Sequence, residues 1–198
     1  GNSYEGIVDS WTQIGSDIDG EAYNDQSGYS VSLSSDGSVV AIGARYNDGN
    51  GSDSGHVRVY QNDNGTWTQM GSDIDGEGGS DYFGHSVSLS SDGSVVAIGA
   101  IYDDATSTNA GHVRIYQNDN GTWTQIGSDI DGEAYNDQSG YSVSLSSDGS
   151  VVAIGAIYND GTATQAGHVR IYQNDNGTWT QIGSDIDGEA YNDQSGYS

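Results

Sequence analysis

Cysteine, proline and lysine are missing from these 198 residues, and four arginines face 29 aspartates and glutamates. Without cysteine there are no disulfides, thiolate metal sites or cysteine nucleophiles. A formal net charge of −25 repels phosphate, and four cations cannot form a basic stripe. Nucleic acid is therefore excluded as a partner, and an anionic membrane surface with it. No apolar run approaches the roughly 20 residues of a membrane span, so membrane insertion is not expected. Apolar residues make up only 33% of the chain, which by itself would permit disorder. The chain opens on Gly1 rather than methionine, as processed or excerpted chains do.

The order of the residues argues for a fold. Trp11, Trp67, Trp123 and Trp179 each open the phrase Trp-Thr-Gln-(Ile/Met)-Gly-Ser-Asp-Ile-Asp-Gly-Glu, at a constant spacing of 67 − 11 = 56. Three periods leave 198 − 168 = 30 residues as an extra partial unit. Segments 87–142 and 143–198 differ at four positions only: Asp103/Asn159, Ala105/Gly161, Ser107/Ala163 and Asn109/Gln165. A period of this length marks an array whose units bury their faces against one another, by recent duplication or by design.

Within a unit the period is two. Tyr29-Ser30-Val31-Ser32-Leu33 alternates as a half-buried strand, and Ser34-Ser35-Asp36-Gly37 is a tight turn. Val39 to Ala44 is apolar on both faces, which predicts a covered central strand. A polar loop, 45–54, leads to a third strand at His56 to Tyr60. Asn62-Asp63-Asn64-Gly65 is a second turn, and Thr66 to Met70 a fourth strand, followed by an acidic loop over 71–80. Four short antiparallel strands per unit describe an all-β propeller of 56-residue blades, about three and a half per chain. A right-handed β-solenoid is the competing array, but it needs no two hairpin turns per unit. The expected division is a partial blade at 1–27, then blades at 28–83, 84–139 and 140–198, the last carrying a trailing loop.

The second unit reads Phe83-Gly84, then Val87 to Leu89, then Val95-Val96-Ala97-Ile98-Gly99-Ala100. This resembles the FG-GAP repeat of integrin α-chain-type β-propellers. The other units have Ser27-Gly28 and Ser139-Gly140 for Phe-Gly, and Arg45, Ile101 and Ile157 stand where the family has proline. The resemblance implies a ring of about seven blades and extracellular adhesion or ligand binding. Family blades that bind calcium carry a long aspartate-rich loop between their first two strands. Ser34-Ser35-Asp36-Gly37 and its equivalents offer one carboxylate each, against the six to eight oxygens calcium takes, so that site does not carry over.

The chemical candidates lie elsewhere. Asp17, Asp19 and Glu21 recur as Asp73, Asp75 and Glu77, as Asp129, Asp131 and Glu133, and as Asp185, Asp187 and Glu189. Alternating carboxylates around a glycine resemble part of a calcium loop. Two readings stand: a solvated acidic turn, or a weak divalent site with Ca2+ as its cofactor. In an up-down-up-down blade, loops 45–54 and 71–80 emerge on one face, opposite the tight turns. That face presents Asn47, Asp48 and Asp53, then Asp103 and Asp104, then Asn159 and Asp160, and loops on a rigid scaffold commonly carry binding. Trp11, Trp67, Trp123 and Trp179 are expected to pack between blades, and Arg58, Arg114 and Arg170 to pair with carboxylates of a neighbouring blade. The histidines His56, His112 and His168, one per blade, are too far apart to share one ion and read as strand-entry hydrogen bonds.

No Ser-His-Asp set recurs in recognisable order and no phosphate or zinc motif is present, so the sequence reads as non-enzymatic. The expectation is a secreted or cell-surface propeller that binds an extracellular protein or surface. Three and a half blades are too few to close, so it should also associate with itself, a dimer sharing one ring being the simplest case. Two alternatives remain: a structural or engineered symmetric scaffold without ligand, and a lectin using the loop-face tyrosines Tyr23, Tyr135 and Tyr191 to bind glycan.

Overall fold

The structure, a computed structural model, describes residues 10–198. Among these residues every regular element is a strand. The first blade comprises β1 (Ser30–Leu33), β2 (Val39–Ala44), β3 (His56–Asp63), β4 (Thr66–Gln69) and β5 (Ile74–Asp75). The second comprises β6 (Phe83–Leu89), β7 (Val95–Ala100), β8 (His112–Asp119), β9 (Thr122–Gln125) and β10 (Ile130–Asp131). The third comprises β11 (Ser139–Leu145), β12 (Val151–Ala156), β13 (His168–Asp175), β14 (Thr178–Gln181) and β15 (Ile186–Asp187). Each blade is a four-stranded antiparallel meander, with the short last strand added to the third.

The sequence pattern explains this order. The apolar run Val39–Ala44 lies between β1 and β3, covered on both faces. Asp36 closes the β1–β2 turn, its Oδ1 accepting the Ser38 N–H at 2.9 Å and the Ser34 and Ser38 hydroxyls. Those donors hold the Asp36 carboxyl at about 2, and the equivalent Asp148 likewise. The second hairpin is tighter than its sequence suggests. Asp63 pairs with Thr66, so Asn64 (φ 50°) and Gly65 (φ 89°) form the whole turn. Two left-handed residues match the twist of the flanking strands, which lets β3 run on to Asp63.

The acidic segment after the fourth strand is not all loop. Ile74 and Asp75 return to pair with Val57 and His56. Residues 10–29 form no strand, and the fourth strand expected around Trp11 is absent. The rest of the partial blade expected at 1–27 precedes residue 10 and lies outside the described residues. Residues 11–30 are identical to 179–198, yet residues 1–10 share only Tyr4 with the strand-forming 169–178. The repeated phrase therefore lacks the partner strand that organises it elsewhere.

Two hydrophobic cores lie between blades rather than within them. Val39, Val57, Val59 and Ile74 of the first blade meet Phe83, Leu89, Val96 and Ile98 of the second. Val95, Ala97, Ile115 and Ile130 of the second meet Val152, Ile154 and Tyr172 of the third. The inner strands β1, β6 and β11 stand side by side. Ser32 Oγ accepts the Leu89 N–H and Ser88 Oγ the Leu145 N–H, both at 3.0 Å. Farther out, the indole N–H groups of Trp67, Trp123 and Trp179 donate to the carbonyls of Ile14, Met70 and Ile126 in the preceding unit. Trp11 differs: its side chain is fully exposed, and no such bond joins it to another unit among the described residues.

Candidate functional site

The glycines of the repeat meet across the blade border. Gly84 sits in a bulge of β6 with φ 85°, and its carbonyl accepts the Ser30 hydroxyl at 2.7 Å. The same carbonyl lies directly against Gly43 of the preceding blade, where a Cβ would come closer than 3.0 Å. Gly99 meets Gly140 and Gly155 meets Gly196 in the same way. The Phe-Gly half of one unit and the Gly-Ala half of the one before it are thus two sides of a single contact.

On the loop face, the loops after β2 and β4 are hydrogen-bonded together. The Ser80 N–H donates to Ser52 O at 2.7 Å and the Phe83 N–H to Ser54 O at 3.0 Å. Beneath them each blade buries a histidine and an arginine at the start of its third strand, His56 and Arg58, His112 and Arg114, His168 and Arg170. Carboxylates from two successive inter-blade loops surround each pair. Glu21 lies 3.8 Å from His56 Nδ1 and 3.5 Å from Arg58 Nη1, while Asp73, from the loop after the fourth strand, approaches the same Nδ1 at 3.8 Å. In the third blade Glu133 pairs with Arg170 at 3.1 Å, and His168 Nδ1 lies 3.7 Å from Asp185.

This arrangement corrects the carboxylate grouping expected from the sequence. The three acids of one loop do not converge. Asp17, Asp73, Asp129 and Asp185 each accept the amide of a glutamine four residues earlier. Glu21, Glu77 and Glu133 pair with the arginine of the following blade. Asp75, Asp131 and Asp187 lie opposite the histidines in the short last strands, while Asp19 offers Arg58 its backbone carbonyl. Glu189 is exposed. Among the described residues, the groups close enough to share an ion are Glu21–His56–Asp73, Asp103–His112–Asp131 and Glu133–His168–Asp185, and each contains a histidine. Sequence reasoning set the histidines aside as strand-entry hydrogen bonds because it asked whether they share one ion with each other, not whether each shares one with nearby acids. The recurring Gly-His-Val-Arg phrase was their one signal, and the two acids of the first group stand 73 − 21 = 52 residues apart.

Burial lowers the pKa of His56, against the pull of Asp73 and Glu21. Burial, and then Arg170, lowers that of His168. Burial raises Asp75 and Asp131. The His56 and His168 imidazoles are therefore biased toward the neutral form that can act as a ligand.

The other loop-face residues divide by burial. Asn47 and Asn159 are not surface groups. Each donates its amide to a buried aspartate, Asp25 or Asp137, at 2.9 Å, and accepts a backbone N–H two residues on. Asp48, Asp104 and Asp160 are exposed and accept the N–H five residues later, closing their loops, while Asp53 sits in a left-handed turn. Tyr23, Tyr135 and Tyr191 stand out into solvent. Near the inner strands a ladder of rings runs from Tyr29 through His85 and Tyr141 to Tyr197, with centroids 4.8–5.1 Å apart. Burial and Arg45 lower His85 to about 4.

The second blade carries Asp103 where the others carry asparagine. Asp103 stays below the usual carboxylate range despite burial, because His112 Nδ1 at 3.1 Å and the Ala105 N–H favour its charge. Its charge in turn raises Asp81 and Asp131, both already raised by burial. Asp103→Asn should restore the amide–carboxylate bond of the other two blades. Against that bond stands the loss of the Asp103 charge, which stabilises the fold at pH 7 because its folded pKa is lowered. The variant is therefore expected to lose about 1 kcal/mol at pH 7, or about 2–4 °C in Tm. The stability from a depressed carboxyl fades as pH falls through its folded pKa, so the loss should shrink in acid. Thermal melts at pH 7 and pH 4 check both parts; a higher Tm at pH 7 would mean that the amide–carboxylate bond to Asp81 and relief of the repulsion outweigh the His112 contact.

Residues 16–60 and 72–116 match the FG-GAP repeat. These segments are FG-GAP repeats. Residues 128–172 repeat 16–60 with seven differences (45, 50–54 and 59 in the numbering of the first unit).

No curated protein matches the chain. Among solved structures it is similar to a candidate 6-phosphogluconolactonase of Bacteroides uniformis, at 14% identity and TM-score 0.52 over 79% of this chain and 39% of that one. Saccharomyces cerevisiae Sqt1 aligns at 15% identity and TM-score 0.51, over 86% and 37%. Kuenenia stuttgartiensis hydrazine synthase aligns at 11% and 0.51, over 89% and 40%. At these identities the likeness is one of fold alone, and the FG-GAP array is an all-β propeller of blades near 56 residues. The chain spans about two fifths of each of these structures.

Proposed function

We propose that this FG-GAP propeller is a non-enzymatic, secreted or cell-surface binding module that completes its ring with a second copy of itself. Its loop face, with Tyr23, Tyr135 and Tyr191 exposed above the rigid blades, supplies the contact area for an extracellular protein or surface.

One observation carries the self-association: the two end faces repeat an interior interface residue for residue. The third blade presents Val151, Ala153, Val169, Ile171, Ile182 and Ile186. These are the same residue types as Val95, Ala97, Val113, Ile115, Ile126 and Ile130, which the second blade buries against the third. The first blade presents Val31 and Leu33, with Val40 half-buried and Ile42 already buried beside them, where the third places Val143, Leu145, Val152 and Ile154 into that core. Ile186 is 54% exposed against 4% for Ile130, and Leu33 60% against 7% for Leu89. A second copy docked head to tail reproduces a contact already formed inside the chain, and two copies give six blades, within the propeller range of about four to eight.

The identical segments 11–30 and 179–198 would then compete for one position. The C-terminal copy is already paired as β14 and β15, and the N-terminal copy is strandless, so the N-terminal copy yields. Native mass spectrometry at low micromolar protein is expected to show a discrete dimer of about twice 20.7 kDa. Ile186→Asp should return it to monomer by placing an unpaired charge in the joint. A wild-type monomer at every concentration would overturn the shared ring.

A further inference from the structure

We propose that the buried histidine niches between consecutive blades, Glu21–His56–Asp73 and Glu133–His168–Asp185, are binding sites for a divalent first-row transition ion such as Zn2+. The second-blade group, Asp103–His112–Asp131, is a variant of the same site.

The first support is a gap of the right size. His168 is almost fully buried, and its Nδ1 makes no hydrogen bond. That nitrogen faces Asp185 Oδ2 at 3.7 Å, and His56 Nδ1 stands 3.8 Å from both Glu21 and Asp73. These separations exceed the roughly 2.7–3.2 Å of a hydrogen bond. Two ligand bonds of about 2.0–2.2 Å, meeting at a tetrahedral to trigonal angle, span about 3.3–3.8 Å. A buried imidazole nitrogen without a partner is costly, and an ion held between it and the carboxylates removes that cost.

The donor set supports a transition ion over calcium. Each niche offers one imidazole nitrogen and two carboxylates whose nearest atoms lie within 4.8 Å of one another. Calcium and magnesium take oxygen ligands almost alone, whereas imidazole favours zinc and its first-row neighbours. Glu133 gives Oε1 to Arg170, which leaves its second oxygen for the ion. The guanidinium then orients the ligand as a neighbouring group commonly does in metal sites. The ligands come from successive loops, Glu133 before the third blade and Asp185 after its fourth strand, so an occupied site ties one blade to the next on the loop face.

The test is calorimetric titration of the EDTA-treated full chain with Zn2+ in about 0.15 M salt, which screens diffuse attraction to the acidic surface. Wild type should bind at least two Zn2+ ions. The double variant His56→Gln/His168→Gln should lose two of them or bind them at least roughly tenfold more weakly. Equimolar Ca2+ should not displace the zinc. Co2+ added to wild type should give a visible absorption band that the double variant lacks. If the double variant does not fold, Glu133→Gln serves in its place, since Glu133 is half-exposed, and should weaken one site alone. No Zn2+ binding to wild type, a stoichiometry and affinity unchanged in folded variants (an adventitious ion only), or displacement by equimolar Ca2+ would each overturn the proposal.

Discussion

Gly99→Val is expected to lower the stability of the protein by at least about 3 kcal/mol and to remove a cooperative thermal transition at moderate temperature. Gly99 lies in β7, the covered central strand of the second blade, and its α-carbon rests against the bulge carbonyl of Gly140 in the next blade. That carbonyl already accepts the Ser86 hydroxyl at 2.7 Å. A Cβ would fall closer than 3.0 Å to both oxygens. Neither can swing away: one is backbone, and the other is held by its hydrogen bond. Relief requires moving the third blade outward along the inner strands. That motion would open the core around Ala97, Ile115 and Val152 and the Ser88–Leu145 bond.

Ordinary overpacking costs about 1–3 kcal/mol where side chains can shift. Here whole strands must shift, and a domain has only about 5–15 kcal/mol in total. Gly121→Ala is the control. Gly121 has φ 88° with open space around the added methyl, so it should cost only the backbone strain of about 1–2 kcal/mol. Thermal melts followed by circular dichroism separate the two. Equal losses in both variants would mean that the close approach of the FG-GAP glycines contributes nothing in solution.

The features that could be read ahead of the structure were those coded by neighbours in the chain. The covered run Val39–Ala44, the Asn64-Gly65 hairpin and the placement of the loops after β2 and β4 on one face all follow from local pattern and strand count. The short strand Ile74–Asp75 escaped because two residues show no alternation and their partners, Val57 and His56, precede them by 17 and 19 positions. The carboxylate trios misled for a related reason. Their spacing looked like a local ligand loop, yet repeat geometry sends Glu21 forward to Arg58 and joins it to Asp73 from the next loop. Asn47 and Asn159 looked like surface loop residues because their polarity was legible, while the buried Asp25 and Asp137 that they satisfy were not. In an array, contacts one period away are invisible to a reading that treats each unit as self-contained.

Arg114→Ala should give the second largest loss, about 2–3 kcal/mol, or about 4–12 °C in Tm. The Arg114 guanidinium is almost fully buried. It meets both oxygens of Asp129 at 3.1 and 3.2 Å, and it also pairs with Glu77 from the loop that precedes its blade. Burial pushes its pKa down, but Asp129, the Tyr116 hydroxyl and Glu77 together hold it above the usual value. Removing one partner of a buried pair costs about 3–5 kcal/mol. Asp129 is about a third exposed and Glu77 mostly exposed, so water recovers part of that and the lower figure applies. The guanidinium also lies over the ring of Phe83, 5.9 Å from its centroid, at the edge of the first inter-blade core, and the side chain is almost fully buried. Arg114→Met should therefore retain part of what Arg114→Ala loses, and Arg114→Lys should keep the charge without the two-pronged contact to Asp129. A Tm ordered wild type, then Lys and Met, then Ala would show that charge and packing both join the blades. An unchanged Tm in Arg114→Ala would remove the ion pair from the interactions that hold the array together.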